Sequence, residues 1–153
     1  MTRFILALLL VLSPVSAFAQ ESRPLVLLTN DDGYESEDLR ALARALDDRF
    51  LVLIAAPMAN QSGASNSVSG LRNPAQWSQF DAEAAGFDTQ WTHAYYVDAG
   101  PSLSVHWGVE LSERLFGRRP DLVISGMNSG DNLGQSHHYS GTVGAARTAR
   151  LLG

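Results

Sequence analysis

The sequence predicts a three-layer α/β fold, a parallel sheet flanked by helices, on three observations. Continuous apolar runs at Leu25–Thr29, Phe50–Ala56 and Asp121–Ser125 have strand length and no polar alternation, the pattern of strands buried in a parallel sheet. Segments with helical spacing of apolar residues lie between them. Each run stops abruptly at a polar, glycine-containing loop, and in open parallel sheets such loops gather at one edge, where ligands bind.

Residues 1–19 stand outside this pattern. Arg3 gives a positive start, Phe4–Leu12 an apolar run, and Ala17-Phe18-Ala19 a small-x-small cleavage pattern. The run is short for a membrane-spanning helix. The expectation is a signal peptide over 1–19, a mature chain from about Gln20 and a periplasmic or secreted destination with no stable membrane anchor. Residues 20–153 then form one α/β domain.

The first strand, Leu25–Thr29, leads into Asn30-Asp31-Asp32-Gly33. Ser36 can cap the following helix, and Glu37 and Asp38 suit its positive N-terminal end. Leu39, Leu42, Ala43 and Leu46 fall on one helical face, and the helix should end around Asp48. The run Phe50–Ala56 completes a strand–helix–strand unit, so its two strands should be parallel and joined by a right-handed crossover. Pro57–Gly70 is a long polar loop, a length that in a compact domain marks function. Leu71–Gln90 reads as an excursion with a β-hairpin, and Tyr95–Asp98 as a short strand. Gly100-Pro101 opens a helix with proline in its first turn. Leu103, Trp107, Leu111 and Leu115 line its buried face, and Gly117 stops it. The third run, Asp121–Ser125, is the next buried strand. It feeds a loop from Gly126 to Gly134, and a final helix runs from Thr142 to Leu152. In this alternation a helix ending at Gly153 normally feeds a further strand, so the arrangement is Rossmann-like and incomplete at its C-terminal end.

Composition narrows the chemistry. The chain has 153 residues, 45% hydrophobic and 18% charged, which describes a globular domain. Its net charge is -5 and its 11 basic residues are all arginine and scattered, which argues against a surface for polymeric nucleic acid. There is no cysteine, so disulfides, zinc–thiolate sites and a lipid-modified anchor cysteine are excluded.

Three strand ends bring three oxygen-rich loops to one edge: Asn30-Asp31-Asp32, Asn60 to Ser65, and Asn128 to Asn132. Adjacent carboxylates repel unless a positive charge lies between them. Carboxylates, a hydroxyl and amide carbonyls suit magnesium, manganese or calcium and suit zinc or copper poorly. Ser140-Gly141-Thr142 directly precedes a helix, where amides and hydroxyls can hold an anion. A metal beside an anion pocket implies phosphoryl chemistry. A serine-hydrolase reading of Ser62 fails because Asn60 stands where a glycine is needed. His137 and His138 read as an exposed loop pair, His93 and His106 as structural, and Trp77, Trp91 and Trp107 as core.

These residues resemble the SurE survival proteins, metal-dependent 5'/3'-nucleotidases of bacteria, archaea and plants. The resemblance is carried by Leu28-Thr29-Asn30-Asp31-Asp32-Gly33, by Ala56-Pro57 with Asn60-Gln61-Ser62-Gly63-Ala64-Ser65, by Pro120-Asp121-Leu122-Val123-Ile124-Ser125-Gly126 with Asn128 and Gly130, and by Tyr139-Ser140-Gly141-Thr142-Val143. It implies a SurE-like fold and one divalent ion, Mg2+ or Mn2+, held by Asp31, Asp32, Ser62 and Asn128. It implies a phosphate pocket at Asn132, Ser140, Gly141 and Thr142, with Asn60 and Ser65 shaping the second loop. Asp31 is then the catalytic nucleophile or base, and Asn132 a second catalytic candidate. At Ala99–Ser104 the chain departs from the family's usual Gly-Thr-Pro-Ala-Asp-Cys. The family also continues further, with more sheet and a hairpin exchanged between subunits, and so implies a homo-oligomer.

The resulting expectation is a metal-dependent 5'-nucleotidase or acid phosphatase that hydrolyses nucleoside monophosphates or other small phosphomonoesters. The alternatives are an inactive truncated fragment and a periplasmic module that binds a phosphorylated ligand without turnover.

Overall fold

The computed structural model of the protein describes residues 23–68, 77–79 and 91–153. The leader expected over 1–19 and most of the excursion over 71–90 lie outside the described residues. Five strands form one sheet: β1 (Leu25–Thr29), β2 (Leu51–Pro57), β3 (Trp77–Gln79), β4 (Thr92–Val97) and β5 (Leu122–Ser125), in the spatial order β3-β4-β2-β1-β5. The pairs β1–β2, β1–β5 and β2–β4 are parallel, so four strands run one way and all their carboxyl ends meet at one edge. Strand β3, the described part of the excursion over 71–90, pairs antiparallel to β4, Trp77 opposite Val97.

The strands of the central pair are buried on both sides, which is why they read as unbroken apolar runs. Alternate residues face two separate cores. Helix α1 (Glu37–Leu46) packs Leu39 and Ala43 against Leu28, Val52, Ile54 and Ala94. On the other face, helices α2 (Pro101–Phe116) and α3 (Gly141–Leu152) contribute Val105, Leu111 and Ala145 against Leu25, Leu27, Leu51 and Leu53. The result is the three-layer sandwich that the sequence predicts. Ser36 caps α1 by accepting a hydrogen bond from the Leu39 amide. Gly117 ends α2 in the left-handed conformation, φ 67°.

Two elements differ from expectation. Strand β4 begins at Thr92, three residues before the expected Tyr95, because two polar side chains enter the sheet with partners. The Thr92 hydroxyl donates to the Asp47 carboxylate at 2.6 Å, and the His93 ring meets Phe116 edge-on at 5.2 Å between centroids. Strand β5 is not buried like β1 and β2. It lies at the sheet edge, and Leu122 is 51% exposed, because no described strand pairs along its outer side.

His93 gives the fold a pH dependence. Burial pushes its pKa below the ordinary 6.5. Between the two values the unfolded chain holds more protons than the folded one, so stability is full above pH 6.5 and falls as pH drops through that range. The urea midpoint is expected to decrease between pH 7.5 and 5. His93→Phe, which keeps the contact with Phe116 and removes the titration, should flatten that profile; an unchanged pH dependence would refute the assignment.

Candidate metal centre

The carboxyl ends of β1, β2 and β5 deliver the three predicted loops to one place. The first loop is closed on itself: the Asn30 side chain donates to the Gly33 carbonyl at 3.1 Å and accepts from the Gly33 amide at 3.2 Å. This turn holds Asp31 inward, only 2% exposed. The second loop is tied to the first by the Gln61 amide, which donates to the Asp31 carbonyl at 2.7 Å. Within it the Asn60 side chain accepts from the Ser62 amide at 2.9 Å and so fixes where Ser62 projects.

Asp31 is held by the start of α3. The Gly141 amide donates to its Oδ2 at 3.1 Å, and the Thr142 hydroxyl donates to its Oδ1. Negative charge at a helix N-terminus is electrostatically favourable. The approach requires glycine at 141: a Cβ there would lie 2.7 Å from the Asp31 Cβ and 2.9 Å from Oδ2. Thr142 also reaches Asn128, its hydroxyl 2.8 Å from Asn128 Oδ1. Asn128 itself is held by donating to the Gly130 carbonyl at 2.9 Å.

Beside these groups opens a cavity of about 270 Å³ lined by Asp31, Ser62, Asn128, Asp131, Asn132 and Ser140 among others. Three of the four residues expected at the metal, Asp31, Ser62 and Asn128, therefore face one space, as do two expected at the phosphate, Asn132 and Ser140. Asp32 is adjacent but does not line it; its carboxylate accepts from the Ser129 amide at 2.9 Å and from Asn60 Nδ2 at 3.3 Å. Gly141 and Thr142 sit behind Asp31 rather than on the cavity wall. Ser65, expected to shape the second loop, does so: its amide donates to the Tyr139 carbonyl at 3.1 Å and its hydroxyl to the His138 carbonyl at 2.7 Å.

The donor set fits a hard divalent cation. Among the described residues no three His, Cys, Asp or Glu side chains gather as a metal site, so a cation would draw on mixed oxygen ligands. The hydroxyl of Thr142 has one proton and faces two acceptors, Asp31 Oδ1 and Asn128 Oδ1. At any instant one of these oxygens has lone pairs that this proton does not serve. Such surplus oxygen lone pairs, one bearing formal charge, are what magnesium or manganese coordinates.

Sequence reasoning assigned no role to several residues here. Asp131, Ser136 and Tyr139 line the cavity. Asn66 ties the second loop to α3, donating to the Gly144 carbonyl at 3.2 Å. Its signal was present as Gly144, a glycine inside a helix, which marks a close approach.

A parallel-sheet sandwich whose strand ends converge on a carboxylate, amide and hydroxyl pocket defines a Rossmann-like α/β protein with an oxygen-rich cavity at its sheet edge. The model of the family "Survival protein SurE" matches residues 26–153, and the chain belongs to that family. Relatives named 5'-nucleotidase SurE are 41% identical over 131 residues in Sorangium cellulosum and 43% identical over 128 residues in Vibrio cholerae. Those alignments cover 86% and 84% of this chain and 46% of each relative. The SurE protein of Aquifex aeolicus, a solved structure, superposes with a TM-score of 0.64 at 36% identity, covering 85% of this chain and 48% of that one. The chain thus spans just under half the length of the relatives it matches.

Proposed function

We propose that the chain is a divalent-metal-dependent phosphomonoesterase acting on nucleoside monophosphates. The observation that carries this is the convergence of Asp31, Ser62 and Asn128 with Asn132 and Ser140 on one cavity at the carboxyl edge of the sheet. Relatives bearing the name 5'-nucleotidase support the substrate class. We place the reaction outside the cytoplasm on the strength of Arg3, the apolar run Phe4–Leu12 and Ala17-Phe18-Ala19.

Asp31, Ser62 and Asn128 would hold the ion, with Asp32 joining after release from Ser129 or acting through the loop. The ion supplies neutralisation of the substrate phosphate and of the acidic loop. The remaining work belongs to the chain. Thr142 and the Gly141 amide fix the Asp31 carboxylate at the cavity wall, where it would attack phosphorus or take a proton from water. The Asn132 amide and the Ser140 hydroxyl orient phosphate oxygens, holding the leaving group in line. Ser140 is itself fixed, its Oγ accepting from the Val143 amide at 3.1 Å.

The purified chain with manganese or magnesium should release phosphate from AMP. A chelator should abolish the release, and added metal should restore it. Absence of release from every nucleoside monophosphate, with the metal shown to be bound, overturns the reading.

A further inference from the structure

Ser140-Gly141-Thr142 reads in the sequence as one anion-binding run, but the fold divides it. Ser140 lies on the cavity wall, whereas Thr142 is 7% exposed and stands off that wall. The Thr142 hydroxyl meets protein instead. It donates to Asp31 Oδ1 and lies 2.8 Å from Asn128 Oδ1. Those two residues come from different strands, Asp31 following β1 and Asn128 following β5. A single buried oxygen therefore spans the two loops that are expected to share the ion.

The surrounding bonds hold that oxygen in place. The Ser125 hydroxyl donates to the Thr142 carbonyl at 2.8 Å, which pins the first turn of α3 to the end of β5. The Ser140 hydroxyl caps the same turn by accepting from the Val143 amide at 3.1 Å. Branching at Cβ restricts the threonine χ1, so a fixed backbone leaves the hydroxyl little freedom. On the other side, Asn128 Nδ2 donates to the Gly130 carbonyl at 2.9 Å, and Asn128 Oδ1 is the atom turned to Thr142. The hydroxyl has one proton to give, and the charged carboxylate is the stronger acceptor. Asp31 is thus fixed by the donated bond, and the Asn128 oxygen keeps its lone pairs.

We propose that Thr142 is a positioning residue that holds Asp31 and Asn128 as a preformed pair of metal ligands and makes no contact with the substrate phosphate. This rests on the metal assignment and, for its kinetic arm, on the phosphomonoesterase reading above. A group that orients ligands from behind typically changes metal affinity or activity by about 10–100-fold when it is removed.

The test titrates manganese calorimetrically into the parent chain, Thr142→Val and Thr142→Ser, and measures AMP turnover at saturating manganese. Thr142→Val keeps the shape and removes the hydroxyl; Thr142→Ser keeps the hydroxyl. The manganese Kd is expected to rise about tenfold or more in Thr142→Val and to return to within about threefold of the parent in Thr142→Ser. At saturating manganese, kcat should fall in Thr142→Val while the KM for AMP stays within about twofold, the split left by a group that acts on the reacting centre without binding substrate. A manganese Kd within about twofold of the parent in Thr142→Val overturns the proposal, as does Thr142→Ser binding as weakly as Thr142→Val. A raised KM with kcat and manganese Kd retained also overturns it, because that pattern marks direct phosphate contact. If Thr142→Val gives no cooperative melt, Thr142→Ala is judged by the same criteria. A parent chain that binds manganese and releases no phosphate overturns the phosphomonoesterase reading alone, and the calorimetric comparison still decides the role of Thr142. A parent chain that binds no manganese overturns both.

Discussion

Asp31→Asn should remove essentially all phosphate release from AMP, roughly a thousandfold or more in kcat/KM, the scale seen when a group at the reacting centre is deleted. The substitution is nearly isosteric, but it exchanges an acceptor oxygen for an NH2 donor. Two donors point at this carboxylate, the Gly141 amide at 3.1 Å to Oδ2 and the Thr142 hydroxyl to Oδ1. The Thr142 hydroxyl can accommodate this: it can accept from the new NH2 and give its proton to Asn128 Oδ1, while the asparagine oxygen accepts from the Gly141 amide. The variant should therefore fold and melt close to the parent without metal. It should gain little from manganese, where the parent at a hundredfold excess over Kd would gain about 2.7 kcal/mol. Differential scanning calorimetry with and without manganese separates folding from metal binding. An unaltered metal-induced shift together with retained turnover would sink the assignment of Asp31.

The second large effect is expected from Gly144→Ala. Alanine is the better helix former by about 1 kcal/mol, which alone predicts stabilisation. Contact decides against it. A Cβ at 144 would lie 2.2 Å from the Ser65 carbonyl oxygen, 2.4 Å from its carbon and 2.9 Å from the Asn66 nitrogen, all backbone. Neither a rotamer change nor a flexible chain end can relieve that overlap, so the second loop must move off α3. Overpacking of this kind costs about 1–3 kcal/mol. The shift would also stretch the Asn66 bond to the Gly144 carbonyl and the Ser65 bond to Tyr139. Ser62 rides on the same loop, so manganese affinity should fall along with the melting temperature. A variant as stable as the parent, with the same manganese affinity, would show that the loop is not seated on the helix.

These two sites illustrate what was readable in the chain. The strands β1 and β2 were legible because two-sided burial demands uninterrupted apolar residues, and Ser36 and Gly117 announced helix ends through capping chemistry. The three loops that carry Asp31, Ser62 and Asn128 were legible as a group because each follows a strand, and parallel strands end at a common edge; those residues were singled out within the loops by the family resemblance. The early start of β4 was hidden because Thr92 and His93 look like loop residues until Asp47 and Phe116 are placed beside them. The exposure of β5 was hidden for a similar reason: Leu122 belongs to an apolar run, and only the strand order shows it at an edge. The orientation of Asp32 toward Ser129, and the seating of Ser65 on Gly144, depend on side chains and backbone from distant loops meeting in space.

The bond from Thr142 to Asp31 joins residues 111 positions apart. The acidic loop leaves the ribosome early and its fixing partner comes late. At translation speeds of about 5–20 residues per second, the gap between them is of order ten seconds. During that interval Asp31 and Asp32 are neighbouring charges with no helix N-terminus to steady them. On the proposed metal reading, tight binding of the ion would await the docking of α3, and manganese binding followed in time during refolding would trace that docking.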